Sequence, residues 1–447
     1  MIGTLDKLDF AKILHSHLSP SRPIQSREHL YGRDAQFNEI EQALYSPGRH
    51  VFIYGDRGVG KTSLAQTAAF THQSSDNDPI LVACGRNSTF TDVMRNVFTR
   101  MIPQPSNKKS KSTIKGRLSL PGITLEAQKS FESGEVPEVH GVNDTITILK
   151  ALAAEYSGKT IVVVDEFDLI ENPAEKSHFA DFIKQMGDQA VPVQFIFCGI
   201  GESLDDLLGA HASCYRYLAN VELPRLYFDA RWEIIDESAE ALGVQMDENS
   251  RFRIAAISDG FPHYIHLICE KLYWEIFNAS KVCEKPTSDH YSAAIRMAIK
   301  GIQQQLKRAY DRATMKDSDD YHEILWAAAD HQNLIRRGEQ IYQSYQRIKG
   351  LRGGPVLEKK GFSYRIAKLR SESCGRILAN SRRGWYHFRE SIIRGYVRLR
   401  AEAEGIELAI EHSDEPERRV TARARKGLGP RPGWRRMYTK FRRPGER

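Results

Sequence analysis

The chain has 447 residues, of which 41% are hydrophobic and 27% charged, so it is a soluble globular protein with room for two to four domains. No apolar run is long enough to span a bilayer, and the N-terminal stretch MIGTLDKLDF carries acids and no long apolar run, which excludes a secretory signal and points to a cytoplasmic protein with no membrane partner. The net charge of +7 is uneven, because residues 418–447 hold twelve Lys/Arg and one acid, Glu446, leaving −4 for residues 1–417; a basic tail on a mildly acidic body suggests an arm for a polyanion.

Residues 1–48 read as an N-terminal linker that ends in a short amphipathic helix, GRDAQFNEIEQAL, starting after Gly32 and Arg33. HVFIY at 50–54 is a short apolar run that stops at a glycine loop, and KTSLAQTAAFTH after the loop has helix-forming composition. More apolar runs come later: PILVAC (79–84), TIVVVDEF (160–167), VQFIFCG (193–199) and ANVELP (219–224). Helical patterns such as TDVMRNVFTRMI and VNDTITILKALAAEYSG separate them. Strands apolar on both faces, alternating with helices, predict a parallel sheet covered on both sides over residues 49–226. One segment, 103–135, breaks the rhythm. It is polar and basic at first, then alternates around Pro121-Gly122 in RLSLPGITLEAQ. It reads either as an inserted hairpin or as a solvated surface loop, and Leu-Pro-Gly is not a favoured hairpin turn.

Residues 227–316 carry only helical patterns, the first starting at Asp229 as a cap, and predict a helical lid. Residues 318–404 give three short helices, then GRILAN, a polar turn SRRG, WYHFRE and a last helix. That order predicts a winged-helix domain, a helix-turn-helix relative. The tail, 413–447, has little periodicity and several Gly and Pro, so it is expected to stay disordered without a partner. The six cysteines are scattered with no metal spacing and read as reduced thiols.

The glycine loop carries the chemistry. Gly55-Asp56-Arg57-Gly58-Val59-Gly60-Lys61-Thr62 fits the full phosphate-loop pattern, with Ser63 next in the same nucleotide-binding stretch. The glycines let backbone N–H groups turn toward phosphates, Lys61 reaches the β and γ phosphates, and Thr62 offers a hydroxyl to Mg²⁺. The strand IVVVD then brings Asp165 to the sheet edge as a second metal residue, and Glu166 stands where a base could polarise water. Asp168 reads as a loop residue or helix cap. SNKKS is not a guanine-reading Asn-Lys-x-Asp tetrad, so the expected nucleotide is ATP. In the C-terminal part, Tyr364, Arg365, Lys368 and Arg370 fall on the third short helix, and Arg382 and Arg383 at the ribbon tip. Basic groups there suit DNA phosphates; alternatively the module packs on the lid and touches no DNA.

A phosphate loop, an Asp-Glu strand end, a helical lid and a winged helix, in that order, resemble the AAA+ and STAND P-loop ATPases, and most of all the branch similar to origin-recognition and replication-initiator ATPases. The resemblance covers roughly residues 20–400. YGRDAQFNEI resembles the segment near the adenine, which implies Arg33 in nucleotide binding. GAHASCYRYLANVELPRL resembles the helix that ends in an arginine finger, which would make Arg216 a catalytic residue acting on a neighbouring subunit; the other reading is a surface arginine at a helix end. DGFPHYIHL resembles the lid motif and puts His263 at the sensor 2 place, where initiators often carry Arg. The fourth strand ends FIFCGIGES without the usual sensor 1 Asn; Cys198 is a poor donor, leaving Ser203 or nothing for that task. Both departures imply slow turnover. The resemblance implies an ATP-binding, slowly hydrolysing switch with Mg²⁺ that forms homo-oligomers and binds DNA. The alternative is a STAND-type signalling or defence ATPase, whose winged helix senses ATP or ADP and drives assembly with a protein partner.

Overall fold

The computed structural model describes residues 2–73, 78–102, 136–154, 158–210, 212–279, 285–315 and 318–408, and the backbone of 411–412 and 419–420. The expected insertion at 103–135 and most of the basic tail lie outside the described residues. The chain divides into two compact units, residues 21–225 and residues 1–20 together with 226–447.

The first unit is built on five parallel strands: β1 His50–Tyr54, β2 Ile80–Ala83, β3 Thr160–Asp165, β4 Val193–Gly199 and β5 Leu218–Glu222. Their order across the sheet is β2-β3-β4-β1-β5, so β1 lies between the two strands that come last in this sheet's sequence order. Phe52 of β1 sits opposite Phe197 of β4 and Asn220 of β5. β4 is buried over its whole length, as its continuous apolar run requires of a strand covered on both faces. On one face, Phe52, Phe167, Phe179 and Phe197 pack edge-to-face and stacked, with Phe167 and Phe179 centroids 5.1 Å apart. Each fully buried Phe stabilises the fold by roughly 1.5–3 kcal/mol over an exposed one. The chain's outward progress reverses at β1, and such a switch point opens a crevice at the carboxyl ends of the strands, where ligands bind in α/β sheets.

In the second unit, the helices Phe228–Ala241, Glu248–Ile257, Pro262–Phe277, Ser288–Gly301 and Gln304–Thr314 cover the expected lid. The first begins one residue before Asp229: Tyr227 is the cap, without a side-chain bond, and Asp229 sits in the first turn. A carboxylate there still favours the positive helix start, so Asp229 marks the helix start while lying two residues past its cap. The N-terminal helix Lys7–His17 also belongs to this unit, with Asp6 capping it and Phe10 stacked on Phe277 at 4.2 Å.

Beyond the lid come the helix Asp320–Ala329, β6 Arg336–Arg337, the helices Gly338–Arg352 and Lys359–Leu369, β7 Leu378–Arg382, β8 Trp385–Phe388 and the helix Ile393–Ala403. The three strands form an antiparallel sheet in the order β6-β8-β7. The last helix drives two arginines into the interior, Arg394 and Arg398, each 1% exposed. Arg398 Nη1 donates to Asp259 Oδ1 at 2.9 Å and to the Ala256 carbonyl at 2.8 Å, while Nη2 reaches the His331 carbonyl at 2.7 Å. The helices over residues 227–316 and the C-terminal helices therefore share one buried ionic core. Among the described residues no helix is long and apolar enough to cross a membrane.

Candidate nucleotide site

β1 ends at Tyr54 and the helix Lys61–His72 begins seven residues later. In between, Gly55, Gly58 and Gly60 have φ of 156°, 85° and 101°. Gly58 and Gly60 are in the left-handed region, which glycine adopts without a Cβ penalty. Gly55 is glycine for space: a Cβ there would collide with the Leu223 carbonyl at the end of β5. Gly60 caps the helix with no side-chain bond, so the first-turn N–H groups are left to the loop, and a helix start with such groups favours an anion.

Two neighbours hold this loop. Arg33 is buried; its Nη2 donates to the Val59 carbonyl at 2.9 Å and its Nη1 to the Pro224 carbonyl at 2.7 Å. It ties the loop to the end of β5, a task the sequence did not announce. Ser63 Oγ accepts the Ile24 N–H at 3.1 Å, and Thr67 Oγ1 returns a bond to the Ile24 carbonyl. Both Arg33 and Ser63 thus act on the protein's own backbone around the loop.

Lys61 Nζ donates to the carbonyls of Gly55 and Asp56 at 3.0 and 3.1 Å. Burial pulls its pKa below the usual lysine value, against Asp168, Asp165 and Asp56, which favour the ammonium. Thr62 Oγ1 donates to Asp165 Oδ2 at 2.6 Å, and Asp165 Oδ1 accepts the Glu166 N–H at 2.8 Å. Glu166 is exposed and has φ 56° and ψ 35°. A left-handed glutamate costs about 1–2 kcal/mol, and such outliers gather at functional sites. Asp56 and Arg57 line the loop, Asp56 half-buried and Arg57 exposed.

Cys198, one residue from the end of β4, is buried with its thiol 3.9 Å from the Lys61 carbonyl, and burial raises its pKa well above the usual thiol value. It is a neutral thiol against the helix start, in keeping with its weak donor chemistry. Arg216 ends the 3-10 turn Ala212–Arg216, is exposed, and lies over the Tyr217 ring at 5.6 Å. His263 is in the other unit, in the first turn of Pro262–Phe277, with Nδ1 donating to the Pro20 carbonyl at 2.9 Å. Burial lowers its pKa, the Pro20 bond opposing, so it is held neutral.

The basic residues of the C-terminal sheet and helix separate into two kinds. Arg365 is half-buried and paired with Asp320 at 3.1 Å, so its charge is already compensated. Arg370, Arg382 and Arg383 are exposed and Lys368 is half-buried. Arg382 lies over Trp385 at 4.2 Å and Arg370 over Tyr386 at 6.0 Å. Arg337, which sequence reasoning missed, also faces Trp385, at 4.8 Å; its signal was the RRG string that begins a helix.

The loop, Lys61 and the Thr62–Asp165 pair fit a nucleotide triphosphate with Mg²⁺. Among the described residues no group of three or more His, Cys, Asp or Glu could hold a metal by itself. Mg²⁺ does not need such a group, since it is bound through one or two protein ligands plus substrate phosphates.

Residues 29–196 match the family model of the AAA ATPase domain. No curated protein matches the chain. A Walker-type ATPase of Pyrococcus abyssi is similar in structure, at 15% identity and a TM-score of 0.50, over 85% of this chain and 99% of that one. The ORC2 protein of Aeropyrum pernix in ADPNP–ADP complexes gives 10% identity and a TM-score of 0.47, over 88% and 98%. Cdc6p of Pyrobaculum aerophilum gives 13% and 0.42, over 88% and 98%. Residues 29–196 are thus an AAA ATPase domain, and the parallel sheet and phosphate loop described above lie in and around it.

Proposed function

We propose that this ATPase is a slow ATP-driven switch that assembles with copies of itself and binds DNA through its C-terminal domain and basic tail. The observation that carries the reading is the contact of Thr62 with Asp165, followed at once by the left-handed, exposed Glu166.

ATP is the substrate. Loop N–H groups and Lys61 hold its phosphates, and Lys61 exchanges the Gly55 and Asp56 carbonyls for phosphate oxygens, since charge-assisted bonds are stronger than neutral ones. Mg²⁺, when bound, neutralises phosphate charge, and Thr62 and Asp165 are the residues that would hold it. Glu166 accepts a proton from the attacking water. Arg216, exposed, serves a neighbouring subunit's γ-phosphate. The absence of an amide donor at the end of β4 and the neutral His263 support slow turnover.

The order of elements over residues 318–404, helices, a short strand and a two-stranded ribbon before a last helix, supports reading this region as a winged helix. Lys368, Arg370, Arg382 and Arg383 supply contacts to DNA phosphates, and Arg365 steadies its own domain instead. The tail adds sequence-independent affinity.

A second reading, a STAND-type switch for a protein partner, is favoured by one observation: the arginines of the last helix meet Asp259 inside the lid. The test is light scattering of the full chain with ATP, with ADP, and with ATP plus duplex DNA, across a salt series. Growth with ATP and salt-sensitive DNA binding support the first reading. ATP-driven growth with no DNA binding at low salt supports the second, and no response to ATP overturns both.

A further inference from the structure

We infer that Tyr217, Gly187 and Asp188 form a fixed mount that aims Arg216 out of its own subunit; this deepens the proposed function and rests on Arg216 acting on a neighbour.

An exposed arginine on a loose turn has many rotamers, and holding it in one reactive place requires a rigid support. The backbone around Arg216 is fixed from several sides. Just before it, Cys214 Sγ donates to the Ala180 carbonyl at 3.1 Å. Just after it, Tyr217 N–H donates to the Cys214 carbonyl at 3.0 Å, and the Tyr217 carbonyl accepts the His50 N–H at 2.7 Å. The Tyr217 ring is held as well, because its hydroxyl donates to Asp188 Oδ1 at 2.5 Å.

Gly187 explains how the ring comes to lie there. It is the penultimate residue of the helix Pro173–Asp188, where glycine is a poor helix former. A Cβ at Gly187 would enter the Tyr217 ring itself, overlapping Cδ1, Cε1 and Cγ. Glycine therefore leaves room for the ring against the end of this helix, and Arg216 lies over that ring at 5.6 Å. The order of support is helix, ring, guanidinium. The guanidinium is exposed, whereas the ring is half-buried and its hydroxyl is engaged by Asp188, so it is the guanidinium that is left to reach another molecule. Tyr217, Gly187 and Asp188 are positioning residues; Arg216 is the group that touches substrate.

The experiment mixes full-length variants and measures phosphate release against protein concentration. Tyr217→Leu removes the ring, and the rise in rate with concentration should fall by about tenfold or more, as a misplaced catalytic group does, with KM for ATP within about twofold. Tyr217→Phe keeps the ring and should retain most of the rise. Gly187→Ala pushes the ring off the helix and should behave like Tyr217→Leu; it keeps the test open if Tyr217→Leu does not fold. The deciding arm mixes each variant with Glu166→Gln, whose own site is silent but whose Arg216 is intact. If the mount serves a neighbour, the mixture regains hydrolysis at the variant's sites. Rescue of Arg216→Ala without rescue of Tyr217→Leu and Gly187→Ala overturns the mount and leaves the trans arginine standing. Wild-type rates for Arg216→Ala alone remove the trans arginine, and the mount falls with it.

Discussion

Thr62 and Asp165 are 103 residues apart in sequence and joined by a 2.6 Å hydrogen bond, so the first turn of the loop helix and the end of β3 meet at one point. Asp165→Asn keeps the shape and weakens the hold on a cation. It should reduce ATP affinity measured with Mg²⁺ and leave affinity measured in a chelator nearly unchanged. Lys61→Ala should reduce both, by about 1.5–3 kcal/mol, since it removes a charge-assisted contact to phosphate. Titration calorimetry on the folded variants checks this. Equal losses for Asp165→Asn with and without Mg²⁺ would contradict the metal role.

Glu166 allows activity and stability to be moved separately. Glu166→Gln should bind ATP normally and hydrolyse it about 10²-fold more slowly or worse, because the base is gone. Glu166→Gly should be equally inactive yet no less stable. It releases a left-handed backbone that costs about 1–2 kcal/mol, against roughly 0.5–1 kcal/mol for glycine's extra freedom when unfolded. Phosphate release and thermal unfolding, measured together, decide it; a large drop in melting temperature for the glycine variant would show that the glutamate side chain is structural.

The sheet was legible because its strands announce themselves. TIVVVD and VQFIFCG have no reading but buried strand, and the glycine loop demands a helix directly after β1. The order of the strands was not legible, since pairing is set by packing across more than a hundred residues, as between Val51 and Ile196. Within the site, Lys61, Thr62, Asp165 and Glu166 were readable because each sits at a fixed step from a strand end. The resemblance implied Arg33 in nucleotide binding, but its bonds go to the Val59 and Pro224 carbonyls, and backbone acceptors leave no mark in a sequence. The helix Lys7–His17 was missed inside the linker. Its signals, Asp6 as cap and Phe10 and Leu14 four apart, were present but short, and the partner that justifies them, Phe277, lies far along the chain.

His50 should make the sheet unit sensitive to acid. It is buried at the start of β1, its Nδ1 accepts the Phe195 N–H at 3.1 Å, and burial lowers its pKa from 6.5 to about 4. Above 6.5 both folded and unfolded forms are neutral, so nothing depends on pH. Between 6.5 and about 4 the unfolded chain takes up a proton that the folded chain refuses, so stability falls as pH falls. The loss reaches about 3 kcal/mol at the acid end of that window. His50→Asn keeps an acceptor for Phe195 and removes the titration. Urea unfolding at about pH 7 and about pH 5 should show a smaller drop for the variant than for the wild type. A remaining slope is expected from His72, whose pKa burial also lowers. An identical drop in both proteins would exclude His50 as the source.

The last prediction concerns Asp259, which is 3% exposed, has φ 53° and faces Arg394 and Arg398. Its backbone conformation tolerates Asp and Asn better than most residues, so Asp259→Asn changes charge with little strain. It leaves two buried guanidinium groups facing a neutral amide, and breaking a buried pair in this way costs about 3–5 kcal/mol. That loss should fall on the unit formed by residues 1–20 and 226–447. ATP with Mg²⁺ should raise the transition of residues 21–225, because a ligand that binds only the folded site stabilises it. Scanning calorimetry with and without ATP can separate the two effects. In Asp259→Asn one transition should move down while the ATP-dependent rise of the other persists. Arg398→Met should be milder than Asp259→Asn, since it removes one charge and leaves Asp259 with Arg394. If Asp259→Asn leaves both transitions in place, the ionic core contributes nothing that packing does not already supply, and the argument for a lid and C-terminal domain joined through Asp259 fails.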